Sequence, residues 1–153
     1  MIPTTPTGPD LSKGSWVGYA AATWALVFAA FHLAWAAGWY IGLQEEIARK
    51  AFQQTWFLVY DLIVAGMCVV AAAVALALVQ PWGRRLSHRL LGLLLWSGTG
   101  LLVLRAGAAA VQAAFLMAMG RFVMHPHVLW EVWFCLGAVL FVLALWRFRR
   151  VSR

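Results

Sequence analysis

Charged residues are scarce in this sequence: they make up 11% of its 153 residues, and only five residues are acidic. Soluble domains carry roughly 25% charged residues, so this chain has too few polar groups to cover a surface in water. Hydrophobic residues make up 64% of the chain instead. The composition excludes an ordinary soluble protein and predicts a single membrane domain.

Cysteine is also scarce, and its two occurrences, Cys68 and Cys135, both lie within apolar runs. The absence of a Cys-x-x-Cys pattern or a Cys/His cluster argues against a disulfide framework or a zinc site. The chain also lacks a glycine-rich phosphate loop and a nucleotide signature. The pair His125 and His127 has no third ligand and is more typical of a helix start at Pro126. We therefore expect no metal and no cofactor.

Positive charge is the exception, since twelve Lys and Arg residues give a formal net charge of +7. These residues lie at the ends of apolar runs, where they would meet anionic lipid headgroups. Outside those runs the sequence has no basic face with interleaved aromatic residues, which argues against nucleic acid as a partner. Membrane lipids are the expected surroundings.

Long apolar runs dominate the chain and predict four transmembrane helices. At about 1.5 Å per residue, each run is long enough to cross a hydrocarbon core of about 30 Å. The predicted spans are residues 16–43, 56–79, 90–118 and 128–147. The predicted fold class is therefore all-α, an integral membrane four-helix bundle that occupies residues 16–147.

The segments that flank the spans have different compositions. Residues 1–15 are rich in Pro, Thr and Gly and predict a disordered leader. Residues 44–55 predict a short amphipathic connector on the membrane surface, and residues 148–153 form a basic tail. A cleaved signal peptide is the alternative for the first span, because Ala34-Trp35-Ala36 resembles a cleavage site. The run is longer than the roughly 7–15 apolar residues typical of a signal peptide.

The distribution of Lys and Arg predicts the orientation. With four spans, both termini and the loop 80–89 lie on one side of the membrane. That side carries eight Lys and Arg residues, against three on the other side. Because short cytoplasmic segments are enriched in Lys and Arg, we expect both termini to be cytoplasmic. The predicted location is the inner (cytoplasmic) membrane, as a multi-pass protein.

Each predicted span contains one His, Asp, Glu, Lys or Arg residue away from its ends: His32, Asp61, Arg105 and Glu131. Ionisable groups inside a membrane are costly and often functional. Counting the helix rise from the predicted cytoplasmic ends puts all four in the outer half of the bilayer. The inner halves of the second and fourth spans are apolar. The pattern predicts a polar pocket near the outer side, closed below by an apolar plug.

The charges of these four residues do not balance if His32 is neutral. Either His32 is protonated, or one carboxyl group keeps its proton and could act as a general acid. The sequence leaves open which carboxylate pairs with Arg105. The alternative is purely structural: the ion pairs hold the helices in register, and His32 is an ordinary core histidine.

From these residues we predict a candidate site. Glu131, Asp61 and His32 would carry acid–base chemistry, and Arg105 would bind a polar or anionic group of the ligand. The other residues predicted to contact a ligand are Trp35, Trp39, Tyr60, Gln112, His127, Trp130 and Phe134.

These features favour a protein that binds a lipophilic small molecule and converts it by acid–base chemistry, as a membrane isomerase or cyclase does. One alternative is a subunit for proton-coupled or anion transport that works as a homo-oligomer. Another is an accessory or structural membrane protein.

The first span, Phe31-His32-Leu33-Ala34-Trp35-Ala36-Ala37-Gly38-Trp39, resembles a family of small four-helix bacterial membrane proteins catalogued only as a domain of unknown function. Members of that family show His-x-x-Trp-Ala-x-Gly-Gly in the first span, and this chain departs from the pattern at Trp39. The fourth span, residues 129–137 with its Trp130-Glu131 pair, is similar to the family's last helix. The resemblance implies the four-helix fold and directs attention to His32, Trp35 and Glu131. It implies no established activity.

Overall fold

A computed structural model of the chain describes residues 15–120 and 128–151, and within these ranges it contains helices and turns but no strand. The helices are α1 (Ser15–Ala36), α2 (Glu45–Phe52), α3 (Thr55–Ala77), α4 (His88–Ala118) and α5 (Val128–Val151). Four of them, α1, α3, α4 and α5, are long and apolar enough to cross a membrane. The prediction of an all-α protein with four apolar spans is confirmed, and the chain is a multi-pass membrane protein.

The first helix is shorter than the predicted span 16–43, because α1 ends at Ala36. Beyond it, Gly38 and Gly42 have φ angles of +91° and +75°. Glycine adopts these left-handed values without steric cost, and they turn the chain out of the helix. Residues 37–44 are therefore a loop at the end of α1, which we call the α1–α2 loop.

The predicted surface connector does form a helix, α2. Glu45 and Glu46 lie in its first turn, while Arg49 and Lys50 lie in its last. This order of charges complements the helix dipole. Ala48 is the buried residue of α2, so the helix presents a small apolar face to the bundle and a charged face away from it.

The ends of the chain differ in part from the predicted boundaries. Helix α5 continues to Val151 and therefore includes part of the predicted tail 148–153. The predicted leader 1–15 lies outside the described residues except for Ser15, the first residue of α1.

Helix α1 lies at the centre of the bundle. It packs closely along α3 and also contacts α5, whereas α4 packs mainly on α5 and touches α3 over a shorter stretch. Small residues line the α1–α3 interface, and Ala21, Ala25 and Ala75 have no accessible surface. Because lipid supplies no hydrophobic driving force between helices, small side chains that let backbones approach are what this interface needs.

The end of the bundle that carries the start of α1 and the end of α5 is rich in arginine, and we call it the basic end. Three arginines of α5 lie over indole rings, with Cζ 5.5, 5.4 and 3.7 Å from the ring centroids: Arg147 over Trp16, Arg149 over Trp96 and Arg150 over Trp146. Such cation–π pairs suit the boundary between lipid and water, where tryptophan and arginine both concentrate. The opposite end, which carries α2, is called the α2 end.

The contact between Gly137 and Trp24 provides a test of this packing. A Cβ atom at Gly137 would overlap the indole ring of Trp24, whereas nothing lies within 4 Å of one built at Gly98. We expect Gly137→Ala to lower the free energy of unfolding by about 1–3 kcal/mol through overpacking. Gly98→Ala, also inside a transmembrane helix, should leave it unchanged or raise it by up to about 1 kcal/mol. Unfolding in detergent micelles, followed by circular dichroism, measures both, and equal stabilities would contradict this packing.

Candidate functional site

His32 and Asp61 form a buried pair between α1 and α3. Nδ1 of His32 lies 2.6 Å from Oδ1 of Asp61, and the two residues are only 7% and 3% exposed. An ionised carboxylate can only accept hydrogen bonds, so with Asp61 charged the Nδ1 atom carries the proton and donates it. The distance is typical of a charge-assisted hydrogen bond, which is stronger than one between neutral groups.

The other polar atoms of this pair have no partner. Nε2 of His32 and Oδ2 of Asp61 are both buried and make no hydrogen bond to any of the described residues. Leaving a buried polar atom unsatisfied costs about 1–3 kcal/mol, and native proteins contain few such atoms. The pair therefore presents two polar atoms that a bound molecule could use, one on a group able to exchange protons.

Aromatic rings surround His32. Phe28 and Trp35 meet its imidazole edge-on, with centroids 4.6 and 4.8 Å away. Trp130 in turn lies 5.0 Å from Trp35 and 4.9 Å from Phe31. These rings exclude water from the imidazole, which strengthens its bond to Asp61.

Arg105 and Glu131 form a second pair, between α4 and α5. Nη1 and Nη2 of Arg105 each donate to one oxygen of Glu131 at 2.7 Å. The side chains are 41% and 30% accessible, so the pair lies at the surface of the bundle rather than in its core. Phe134 covers one face of the guanidinium, with its centroid 4.5 Å from Cζ. The carboxylate that the sequence could not assign to Arg105 is thus Glu131.

The four ionisable residues therefore form two separate pairs instead of one polar cluster. Two rings connect the pairs: Phe28 contacts His32 at 4.6 Å and Phe134 at 5.1 Å, and Phe134 contacts Arg105. The guanidinium of Arg105 balances the charge of Glu131, which removes the reason to expect Glu131 as a neutral general acid. With neutral His32, the negative charge that the sequence leaves unbalanced lies on Asp61.

The remaining predicted residues fall into two groups. Trp35, Trp130 and Phe134 belong to the aromatic layer just described. Trp39 and Tyr60 are 70% and 56% exposed, Gln112 is also exposed, and none of the three makes a side-chain hydrogen bond to the residues that the structure describes. His127 lies outside the described residues.

Sequence reasoning missed the α1–α2 loop as part of this region. Nε1 of Trp35 donates to the carbonyl oxygen of Ile41 at 2.9 Å, and Nε1 of Trp130 donates to that of Gly42 at 3.0 Å. The two indoles hold the loop against the aromatic layer next to His32. The signal in the sequence was the Gly38 and Gly42 pair, which marks turns inside a run that otherwise looks helical.

Two concavities of the described residues lie near α2. One covers the charged face of α2 at Glu45, Glu46, Arg49 and Lys50, and the other lies under its apolar face. None of the predicted site residues lines either of them. Within residues 15–120 and 128–151, no three His, Cys, Asp or Glu side chains are grouped so as to hold a metal ion.

The Arg105–Glu131 pair can be tested by exchanging its charges. We expect Arg105→Glu alone to destabilise the protein by on the order of 3 kcal/mol, because it places two carboxylates side by side in a poorly solvated region. The double variant Arg105→Glu with Glu131→Arg should recover most of that loss, because the opposite charges are restored. Unfolding in detergent micelles gives the two values. A double variant no more stable than the single one would contradict this pairing.

The two indole hydrogen bonds to the α1–α2 loop can be tested by amide exchange. Trp35→Phe and Trp130→Phe each keep an aromatic ring but remove one hydrogen bond, worth about 1 kcal/mol. We expect deuterium uptake at residues 41–44 to become roughly 5-fold faster in each variant. Trp39→Phe is the matched control, since the Trp39 indole is exposed and donates no hydrogen bond within the described part of the chain. Equal uptake in all three variants would show that the indoles do not hold the loop.

Comparison with known proteins identifies one matching family. No curated protein and no solved structure matches the chain significantly. One family model, described as "Protein of unknown function (DUF3995)", matches residues 25–141, a range that includes all four residues of the two ion pairs. The match confirms the resemblance to a family of unknown function, and the chain belongs to the DUF3995 family.

Proposed function

We propose that this protein binds an uncharged lipophilic small molecule inside the membrane, and that His32 exchanges a proton with it while Asp61 holds the imidazole in place. The observation that carries this proposal is the buried His32–Asp61 pair, in which Nε2 and Oδ2 have no partner among the described residues. In water such atoms would be solvated. Inside an apolar bundle, a polar group of a ligand can satisfy them.

The charges favour an uncharged ligand. Nη1 and Nη2 of Arg105 both bind Glu131 already, so its charge is balanced, and His32 already binds Asp61. An anionic ligand would bring an uncompensated charge into this region, which is costly in low dielectric. A hydroxyl or carbonyl group satisfies Nε2 without that cost.

The chemistry follows from the tautomer. With its proton on Nδ1, neutral His32 can accept a proton at Nε2 from an activated C–H or O–H group, and Asp61 stabilises the resulting imidazolium. The imidazolium then returns the proton to another atom of the same molecule. The net result is an isomerisation that needs no oxidant or cofactor. Aromatic rings beside the imidazole would contact the hydrocarbon part and stabilise developing positive charge.

The core toward the basic end supports binding rather than transport across the membrane. Val17, Leu95 and Phe141 fill it and are at most 1% exposed. Apart from His32 and Asp61, the only buried polar side chain among the described residues is Thr99. A path for ions or protons from one side to the other would need more polar groups than this.

The proposal can be tested on protein purified in lipid nanodiscs, by native mass spectrometry with identification of the small molecules that co-purify. We expect a discrete lipophilic compound with the wild type, and its loss from His32→Gln and Asp61→Asn. Thr99→Val is the matched control, because it also removes a buried polar group, at a site between α4 and α5 where Thr99 donates to Phe141. That variant should retain the compound.

The recovered compound then tests proton exchange directly. Incubated with the wild type in D₂O, it should incorporate deuterium or rearrange, and His32→Gln should slow this by on the order of 100-fold or more. If the wild type, His32→Gln and Asp61→Asn all hold the same bulk phospholipids and nothing else, the proposed binding function is wrong.

A further inference from the structure

An apolar cavity of about 370 Å³ lies beneath α2, between this helix, the end of the α1–α2 loop and the start of α3. Its volume falls within the range of roughly 300–1,000 Å³ that small-molecule sites occupy. The walls are mainly hydrophobic, and the principal residues are Leu43, Ile47, Ala48, Ala51, Phe52 and Phe57. We call it the α2 cavity.

The α2 cavity adjoins the His32–Asp61 pair along α3. Phe57 is in the cavity wall, and Asp61 lies four residues further on, so the two side chains share one face of α3, one turn apart. Phe57 also contacts Phe52, on the α2 side of the cavity, with ring centroids 4.9 Å apart. The cavity is therefore separated from Asp61 by a single helical turn.

A second chain of contacts links the cavity wall to His32 through the α1–α2 loop. Gly42 belongs to the cavity wall, and its carbonyl accepts the hydrogen bond from Trp130. Trp130 meets Trp35 at 5.0 Å, and Trp35 meets His32 at 4.8 Å. Packed side chains and the loop thus link the cavity wall to both members of the pair.

We infer that the α2 cavity holds the apolar body of the lipophilic ligand, whose single polar group reaches the His32–Asp61 pair. This inference rests on the proposed function and names the class of ligand: an uncharged molecule with a hydroxyl or carbonyl at one end and a hydrocarbon chain or ring system behind it. Helix α2 covers one side of the α2 cavity.

The distribution of charge on α2 supports a hydrocarbon occupant. The four charged residues of α2 line the separate concavity on its other face, and Arg49 there pairs with Glu45 at 2.5 Å. On the cavity side, Gln44 is the one lining residue with a polar side chain. Ala48 is 6% exposed and Ala51 is half-buried, and both leave room where larger residues would fill the space. An anion, a metal ion or a polar peptide would find almost nothing to bind there.

Photoaffinity labelling tests this inference. The probe is a sixteen-carbon primary alcohol that carries a mid-chain diazirine and a terminal alkyne, added to the protein in phosphatidylcholine nanodiscs. We expect cross-links concentrated in residues 43–57, and a loss of at least 5-fold in Ala51→Phe, whose ring fills the cavity. Ala110→Phe is the matched control, because Ala110 is exposed on α4, and its labelling should equal that of the wild type. The carboxylic acid analogue of the probe should label residues 43–57 several-fold less.

A second variant keeps the test decisive if Ala51→Phe folds poorly. Ile47 is 64% exposed, so Ile47→Trp narrows the mouth of the cavity without disturbing the core, and it should also reduce labelling. Labelling spread evenly over the lipid-facing helices, and unchanged in both variants, would overturn the inference.

The outcome separates this inference from the proposed function. If the co-purified compound is lost in His32→Gln but fully retained in Ala51→Phe and Ile47→Trp, the cavity does not hold it, while proton exchange at His32 still stands. If the cavity variants lose both the probe and the compound while His32→Gln loses neither, the cavity binds the ligand and the role of His32 is wrong.

Discussion

The hydrogen bond between His32 and Asp61 is the interaction on which the site depends. It joins α1 to α3, the two helices that pack most closely, at a depth where neither group can reach water. Without this partner the carboxylate of Asp61 would have no hydrogen-bond donor in a low-dielectric interior, which costs several kcal/mol. The pair therefore sets how α1 and α3 are rotated toward each other, and it leaves Nε2 buried without a partner among the described residues.

The two ion pairs differ in surroundings although they lie at the same end of the bundle. His32 and Asp61 are buried among rings, while Arg105 and Glu131 lie at the surface, with about a third of each side chain accessible. A buried pair with unpartnered atoms is suited to chemistry, because nothing else competes for its nitrogen. A surface pair whose donors and acceptors match each other is suited to joining α4 to α5. This difference is the reason that the proposed function rests on His32 and Asp61 rather than on Arg105 and Glu131.

The α1–α2 loop and α2 convert the end of the bundle into a covered site. Two indole hydrogen bonds attach the loop to the aromatic layer, and left-handed glycines allow it to turn there. Helix α2 then lies across the start of α3 with its charged face outward. An apolar cavity therefore lies between α2, the loop and the start of α3, one helical turn along α3 from Asp61.

The sequence by itself determined the class of protein, the four spans and the end of the bundle at which the ionisable residues lie, because apolar run length and helix rise depend on chain position alone. It also predicted α2, whose charges follow helical spacing. It could not determine that Asp61 pairs with His32 and Glu131 with Arg105, since pairing depends on how each helix is rotated and which neighbours it packs against. Nor could it place the end of α1 at Ala36, because the turn there depends on carbonyl groups that accept hydrogen bonds from Trp35 and, across the bundle, from Trp130. The contact from Trp130 and the two pairings exist only once the helices have assembled, because they join residues that are far apart in the sequence.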